Sequence, residues 1–574
     1  VWWGLPIALL CIVAAMVYVQ LRVIRRPRHD LVILDATIHD GTGAPAYRGS
    51  VAVDRDRISA IYPSSFFTRP TGKKSIDARG LDVAPGFIDT HTHADQNIVS
   101  SSSLVRAPNF VGQGVTTIIT GNCGRSPVHI GRFARSIAVR GSNVNVATLV
   151  GLNSIRSTVM KSSTAPASVA ETAKMCELVS AAMREGALGV STGAAYVPGR
   201  FASEAETVAQ LRVAAKFGGL LATHLRDEGN EILSSVEEAL RQSRQARIPL
   251  LISHFKIIGP SNCSKYQEID RRISAAVASG IPVFSDQYPY GASSSSLDLY
   301  LPDWYLATSG AARRQILDTP DGQKRLGAFL RERIAREGFG DFGFAYVASY
   351  EQDVTLAGMN VRQIASHNGQ PGTTDGQLSV LMELLRHGGA QMVYHNVCRD
   401  LALEIASRPS SMFGSDSAIR YSGGDYLPHP RGWGTFPRVF AQLVRREQVV
   451  SLDEAIRRMT SLPAKVFGLT DRGVVRVGAF ADLVVFDAAT IGDRATYSNP
   501  FLPPRGIVNV IVNGEVVLKP SAAATKRMRS LPDMPPVRAG RFLVRGQSDR
   551  MRAMRATMDA NPPLSTASKS STSN

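Results

Sequence analysis

Gly86-Phe87-Ile88-Asp89-Thr90-His91-Thr92-His93 places two histidines at i and i+2, at the end of a short apolar run that Pro85-Gly86 opens. On a strand the side chains alternate, so both imidazoles leave the same face and can converge on one point, as a metal site requires. The competing reading is a surface strand that happens to carry two histidines. With 11 His in 574 residues, the rest of the chain has to decide between them.

Downstream, short β-rich apolar runs alternate with longer helical patterns. The runs fall at 87–93, 116–120, 144–150, 187–191, 219–224, 249–254, 281–285 and 411–414. Helical periodicity is clear over 168–185, 203–217, 231–246 and 267–279. This alternation predicts an α/β fold built of βα units with a parallel sheet. Eight such strands fit a (β/α)8 TIM-like barrel over 86–472, with its active site at the strands' C-terminal ends. About 125 residues separate the last two runs. Within them 297–340, with Trp304, Tyr305 and an Arg-rich helical stretch, reads as an insertion able to cover the site. On either side of the barrel, 25–85 and 473–518 carry short strands with turn signals, including Asn513-Gly514. Neither piece makes a stable sheet alone, so both are expected to join into one small β-domain.

The chain begins with a 21-residue stretch in which only Gly4, Pro6 and Gln20 are not apolar. As a helix it would span about 31 Å, enough for a bilayer core. Trp2, Trp3 and Tyr18 suit the interfaces, and Arg22, Arg25, Arg26 and Arg28 follow. A single-pass membrane anchor over 1–24 is expected. Positive-inside counting puts the catalytic body in the cytoplasm, and the orientation stays open. The net charge of +17 raises nucleic acid as a partner, but residues 519–574 hold 11 Lys and Arg against three Asp and Glu. That segment is Ser-, Ala-, Pro- and Arg-rich without a sustained apolar period, and reads as a basic, poorly ordered tail. No zinc-finger spacing or interleaved basic-aromatic groove accompanies it, so no specific nucleic-acid partner is expected. Five scattered cysteines, Cys11, Cys123, Cys176, Cys263 and Cys398, do not read as a disulfide framework.

On the expected barrel the polar groups gather at one rim. His91 and His93 end strand one, Cys123 follows strand two, His224 and His254 end strands five and six, and Asp416 follows strand eight. One histidine at a strand end is ordinarily a satisfied core residue. Six metal-compatible groups on one rim are hard to explain by packing. Imidazole, thiolate and carboxylate suit Zn²⁺, which lowers the pKa of water to about 7 and polarises a carbonyl. Asp416 could take a proton from that water and return it to a leaving amine. The chemistry is metal-assisted hydrolysis of an amide-like bond.

These motifs resemble the amidohydrolase superfamily and, over about 30–518, its D-aminoacylase (N-acyl-D-amino-acid deacylase) family. Gly121-Asn122-Cys123-Gly124, Thr223-His224-Leu225-Arg226-Asp227-Glu228 and Ser253-His254-Phe255-Lys256 carry the likeness. So do Asp286-Gln287-Tyr288-Pro289-Tyr290 and His429-Pro430-Arg431-Gly432-Trp433-Gly434-Thr435-Phe436. The resemblance implies a tightly held zinc on Cys123, His224 and His254, and a weaker second site on His91, His93 and Asp416. It gives Asp416 the acid/base role and sets Tyr196, Lys256 and Arg431 near the substrate carboxylate. The competing reading for Lys256 and Arg431 is a salt bridge that stabilises the rim. Superfamily members that bridge two metals use a carboxylated lysine after strand four, where this chain has Ser191-Thr192. The expected activity is zinc-dependent release of a D-amino acid from its N-acyl derivative. The alternatives are hydrolysis of a dipeptide or cyclic amide, or a catalytically silent, membrane-anchored binding protein of the same fold.

Overall fold

The structure, a computed structural model, describes residues 28–64, 70–101, 104–421, 424–520 and 537–546. The expected membrane helix at 1–24 lies outside these residues. No helix among those described is long and apolar enough to cross a membrane.

The chain enters through β1 (Arg28–Ile38), β2 (Tyr47–Asp54), β3 (Arg57–Pro63), β4 (Thr71–Asp77) and β5 (Asp82–Pro85). Leu31, Ile33 and Val51, Val53 turn one apolar face inward, and Leu483, Val485 and Ile511 from the far end of the chain complete the same core.

Next comes the barrel. Its parallel strands are β6 (Phe87–Asp89), β7 (Val115–Thr120), β8 (Asn145–Thr148) with β9 (Val150–Gly151), β10 (Val190–Gly193), β11 (Leu221–His224), β12 (Leu250–Ile252) and β13 (Val283–Gln287). β6, β7 and β8 pair in one parallel group and β9 to β13 in another. Leu149, one residue wide, separates β8 from β9, and its N–H donates to Thr120 at 2.9 Å. The runs are buried throughout, as fits strands covered on both faces. Their interior is filled by Ile88, Ile119, Leu149, Leu188, Leu220, Leu251 and Met412. Helices Val169–Arg184, Glu204–Lys216, Ile232–Ala246 and Tyr266–Ala278 cover the outside. Ser168 and Glu171 close the first of these with a capping box.

β14 (Ser293–Ser296), β15 (Ala345–Ser349) and β16 (Gln391–Tyr394) form a separate antiparallel sheet between β13 and the last barrel strand, β17 (Ser411–Phe413). This excursion has its own apolar core, including Leu301, Leu326, Leu330, Val361 and Met392, and is wider than the 297–340 segment. β17 pairs with β13 and approaches β6 through Thr90 N–H to Phe413 O at 3.5 Å and Asp416 N–H to His91 O at 2.8 Å. The chain then returns to the first sheet as β18 (Leu483–Phe486), β19 (Ile507–Val512) and β20 (Glu515–Leu518), giving the order β20-β19-β18-β5-β1-β2-β3, with β4 on β1. Asn513 and Gly514 both take positive φ between β19 and β20, as the tight hairpin needs.

Two expectations need correction. Cys263 and Cys398 form a disulfide with Cα atoms 5.9 Å apart. Scattered spacing hid it, because the two cysteines lie 135 residues apart and meet only when the excursion folds back. Part of the basic tail is also ordered. Residues 537–546 run beside β8, where Val146 N–H donates to Arg541 O and Leu543 N–H to Val146 O, both at 2.8 Å. Leu543 is fully buried with the barrel's inner residues, and the high arginine content of the segment masked that one apolar anchor.

Candidate metal centre

The rim groups come together where the strands end. Gly121-Asn122-Cys123-Gly124 turns sharply after β7, and Cys123 itself takes a left-handed φ of 51°. Gly124 has a φ of 75°, and an added Cβ would overlap Asn153 Oδ1 and lie 2.7 Å from the Gly193 nitrogen. Ser191 braces the turn: its hydroxyl donates to Gly121 O at 2.6 Å and accepts from Gly124 N–H at 3.0 Å. Ser191 of β10 thus supports the cysteine loop.

Cys123 Sγ lies 3.4 Å from His91 Nε2, 3.7 Å from His224 Nδ1 and 3.5 Å from His254 Nε2. Asp416 Oδ1 lies 3.1 Å from His93 Nε2 and 3.6 Å from His91 Nε2, and its Oδ2 lies 2.8 Å from Arg431 Nη1. Three overlapping sets, His91–His93–Cys123, Cys123–His224–His254 and His91–His254–Asp416, each keep their donor atoms within 4.8 Å of one another. All of these residues are buried except His93, which is half-buried.

Electrostatics sharpen the picture. Burial opposes charge on Cys123, but the charge of His91 and contacts with His224 and His254 outweigh it and hold the thiol well below its usual range. Burial likewise opposes charge on Asp416, and Arg431, His91 and His93 keep its carboxyl well below the ordinary carboxylate range. Against its own burial, His93 is raised to about 9 by Asp416 and Cys123. Tyr196 is pushed well above its normal value, by burial and then by the Cys123 charge. It therefore remains a protonated donor, with its hydroxyl 3.0 Å from Ser295 Oγ.

Of the nine residues expected at the site, all but His91 line one cavity of about 190 Å³, and His91 sits directly behind Cys123. Lys256 and Arg431 are both on its wall and both in ion pairs, Lys256 with Glu228 at 2.6 Å and Arg431 with Asp416 at 2.8 Å. Arg431 also lies over the Tyr288 ring at 4.6 Å.

Sequence reasoning missed the carboxylates behind the ligands. Glu228 lies 3.1 Å from His254 Nδ1 and 3.9 Å from His224 Nε2. Burial works against its ionisation, yet Lys256 and the two histidines lower it to about 2. Asp286 accepts from the His254 backbone N–H at 2.5 Å and lies 3.5 Å from His91 Nδ1. Asp89 accepts from the backbone N–H of Ser415 at 2.9 Å and of His91 at 3.2 Å, and burial raises it to about 7. Glu228 and Asp286 stood inside recognised motifs, but no spacing says which carboxylate faces a ligand's far nitrogen.

A buried thiolate–imidazole–carboxylate cluster on the catalytic rim of a parallel barrel defines a candidate metallohydrolase. Comparison with known proteins agrees. Residues 402–518 match the Amidohydrolase family. The chain is 33% identical over 520 residues to N-acyl-D-glutamate deacylase of Alcaligenes xylosoxydans xylosoxydans, covering 87% of this chain and 95% of that one. It is 32% identical over 516 residues to the D-aminoacylase of the same organism, covering 86% and 95%. The crystal structure of N-acyl-D-glutamate deacylase from Bordetella bronchiseptica, complexed with zinc and a phosphonate mimic of the tetrahedral intermediate, superposes with a TM-score of 0.73 at 30% identity. That match covers 90% of this chain and all (100%) of the other. The chain belongs to the D-aminoacylase family of amidohydrolases.

Proposed function

We propose that this protein hydrolyses the amide bond of N-acyl-D-amino acids at a zinc centre, releasing a carboxylic acid and a D-amino acid. The observation that carries this reading is the Cys123 thiolate, within 3.7 Å of three imidazoles on the barrel rim. A soft thiolate with two or three neutral nitrogens is a zinc donor set, and His224 turns its Nδ1 toward that thiolate at 3.7 Å. Cys123, His224 and His254 would hold the tightly bound ion, and His91, His93 and Asp416 a weaker second one. When bound, the metal polarises the amide carbonyl and acidifies water.

The protein's own groups do the rest. Asp416, kept ionised, takes a proton from the attacking water and delivers it to the departing amine nitrogen. His93 and Arg431 fix its two oxygens, at 3.1 and 2.8 Å. Arg431, with five N–H donors, has enough to serve both Asp416 and the substrate's α-carboxylate. Lys256 supplies the second cation, and Tyr196, kept protonated, donates a neutral hydrogen bond to the same carboxylate. Glu228 orients His254 and Lys256 together, as an outer carboxylate does at many metal sites.

The same reading assigns 86–472 to the catalytic barrel, 25–85 with 473–518 to the small β-domain, and 1–24 to a single-pass anchor. The Cys263–Cys398 disulfide favours an oxidising compartment for the catalytic body, against the positive-inside count. The deciding experiment pairs N-acetyl-D- with N-acetyl-L-amino acids on the zinc-loaded enzyme. Hydrolysis of the D forms with little turnover of the L forms is expected, and a preference for L overturns the reading.

A further inference from the structure

The Cys263–Cys398 disulfide sits at a seam of the cavity wall. Cys263 lies on the loop that leaves β12 with His254 and Lys256, and Cys398 follows β16, the central strand of the antiparallel sheet. The two segments run antiparallel beside the link. Cys398 N–H donates to Ile257 O at 3.0 Å, Gly259 N–H donates to Asn396 O at 2.8 Å, and Ile258 faces Val397. Both sulfurs lie against Gly259 O, at 3.7 and 3.6 Å.

Cavity groups hang on both sides of this seam. On the barrel side Ile258 N–H donates to Glu228 O at 2.9 Å, and the Glu228 carboxylate holds Lys256 at 2.6 Å and His254 Nδ1 at 3.1 Å. On the far side Asn396 Oδ1 accepts the Ser293 hydroxyl at 2.9 Å, and its Nδ2 donates to the Tyr300 hydroxyl at 3.1 Å. Ser293 opens β14, whose serines line the cavity together with Lys256. The spacing between Lys256 and the β14 wall is thus set through the seam. Two backbone hydrogen bonds open locally at modest cost, and a covalent bond across them forbids that opening. The metal donors depend on it less: Asp286 of β13 grips the His254 N–H at 2.5 Å, and Cys123 and His224 stand at the ends of other strands. Cys263 is half-buried and reachable by a thiolate, while Cys398 is buried at the N-terminus of the helix Arg399–Ser407, where the helix dipole favours a departing thiolate.

We infer that this disulfide is a redox-controlled positioning link: its formation sets the wall spacing that substrate binding needs, so the oxidised chain binds N-acyl-D-amino acids tightly and the dithiol form weakly. The inference rests on the proposed function, in which Lys256 receives the substrate carboxylate. On oxidation the two thiols give up two protons and two electrons to a disulfide-bearing oxidant, which becomes a dithiol. A small dithiol drives the reverse: it attacks Cys263 Sγ, expels the Cys398 thiolate, then closes its own disulfide and releases Cys263. A chain reduced in the cytoplasm thus gains affinity only on reaching an oxidising compartment.

The test measures KM and kcat for N-acetyl-D-leucine and N-acetyl-D-glutamate on the full chain in three forms: oxidised, reduced with dithiothreitol and reloaded with zinc, and as the Cys263→Ser/Cys398→Ser double variant. Thiol titration confirms each state. The reduced chain and the double variant should both show KM raised at least about fivefold with kcat within about twofold, the mark of lost ground-state binding, at unchanged zinc content. Oxidised glutathione should restore KM in the native chain and not in the double variant. Dithiothreitol should leave the double variant's constants as they were, which separates the link from any effect on Cys123. The reversible change in the native chain decides the matter even where the double variant fails to fold. An equal KM in oxidised and reduced chains, with only the urea midpoint lowered, overturns the inference and leaves a purely stabilising disulfide. So does a loss confined to kcat with release of zinc. Absence of hydrolysis in every form would instead sink the proposed function, and the inference with it.

Discussion

Cys123, His254 and Asp416 all leave the barrel on left-handed backbone, with φ of 51°, 36° and 49°. Such conformations cost a non-glycine residue about 1–3 kcal/mol and persist where surrounding contacts impose them. Here Asp286 grips the His254 N–H at 2.5 Å and His91 O accepts the Asp416 N–H at 2.8 Å. The strained residues are two donors from the proposed tight zinc set and the proposed proton carrier, so their roles separate by substitution. Cys123→Ala should lower zinc content from about one ion per chain to near zero by atomic absorption. Asp416→Asn should keep that ion while kcat drops about 10²–10⁴-fold, the usual worth of general acid–base catalysis. Full zinc occupancy in the first variant, or native turnover in the second, would contradict the assignment.

At the scale of elements, the cysteine loop and the strand beside it act together. Gly124 is the position where a side chain fits least, since a Cβ there would overlap Asn153 and crowd the Gly193 nitrogen on a φ of 75°. Gly124→Ala is expected to cost at least about 1–2 kcal/mol from backbone handedness alone, before the overlap is counted. Urea denaturation of the two proteins checks it, and an unchanged midpoint would show that the loop relaxes freely. Much of this level could be read from the sequence. Barrel strands β7 and β11 are buried runs that end on a polar residue, Thr120 and His224. β14, Ser293–Ser296, was invisible because four serines carry no apolar alternation, although its strand lines the cavity.

At the scale of the molecule, the first and the last of the described segments are fastened by different chemistry. The late segment is held by an apolar anchor: Leu543 sits with Leu149, Leu188 and Leu220 inside the barrel, and Arg541 reaches Asp56 of the first sheet at 2.6 Å. Leu543→Ala should cost about 2–5 kcal/mol, read as a lowered urea midpoint, whereas a loss under 0.5 kcal/mol would mean the segment is merely laid on the surface. The early end is held by charge. His39, just after β1, is buried between Asp82 of β5, 3.0 Å from Nε2, and Asp453 of the helix Leu452–Met459, 2.6 Å from Nδ1. Burial opposes its protonation, but the two carboxylates prevail and raise its pKa above 6.5. A histidine whose folded pKa exceeds its unfolded value binds more protons in the native state. Its contribution is therefore complete below pH 6.5 and fades as pH rises through the folded value. The stability difference between native protein and His39→Leu should be largest near pH 6 and shrink steadily toward pH 9. A difference that stays flat or grows with pH would show that His39 joins sheet and barrel by packing rather than by charge.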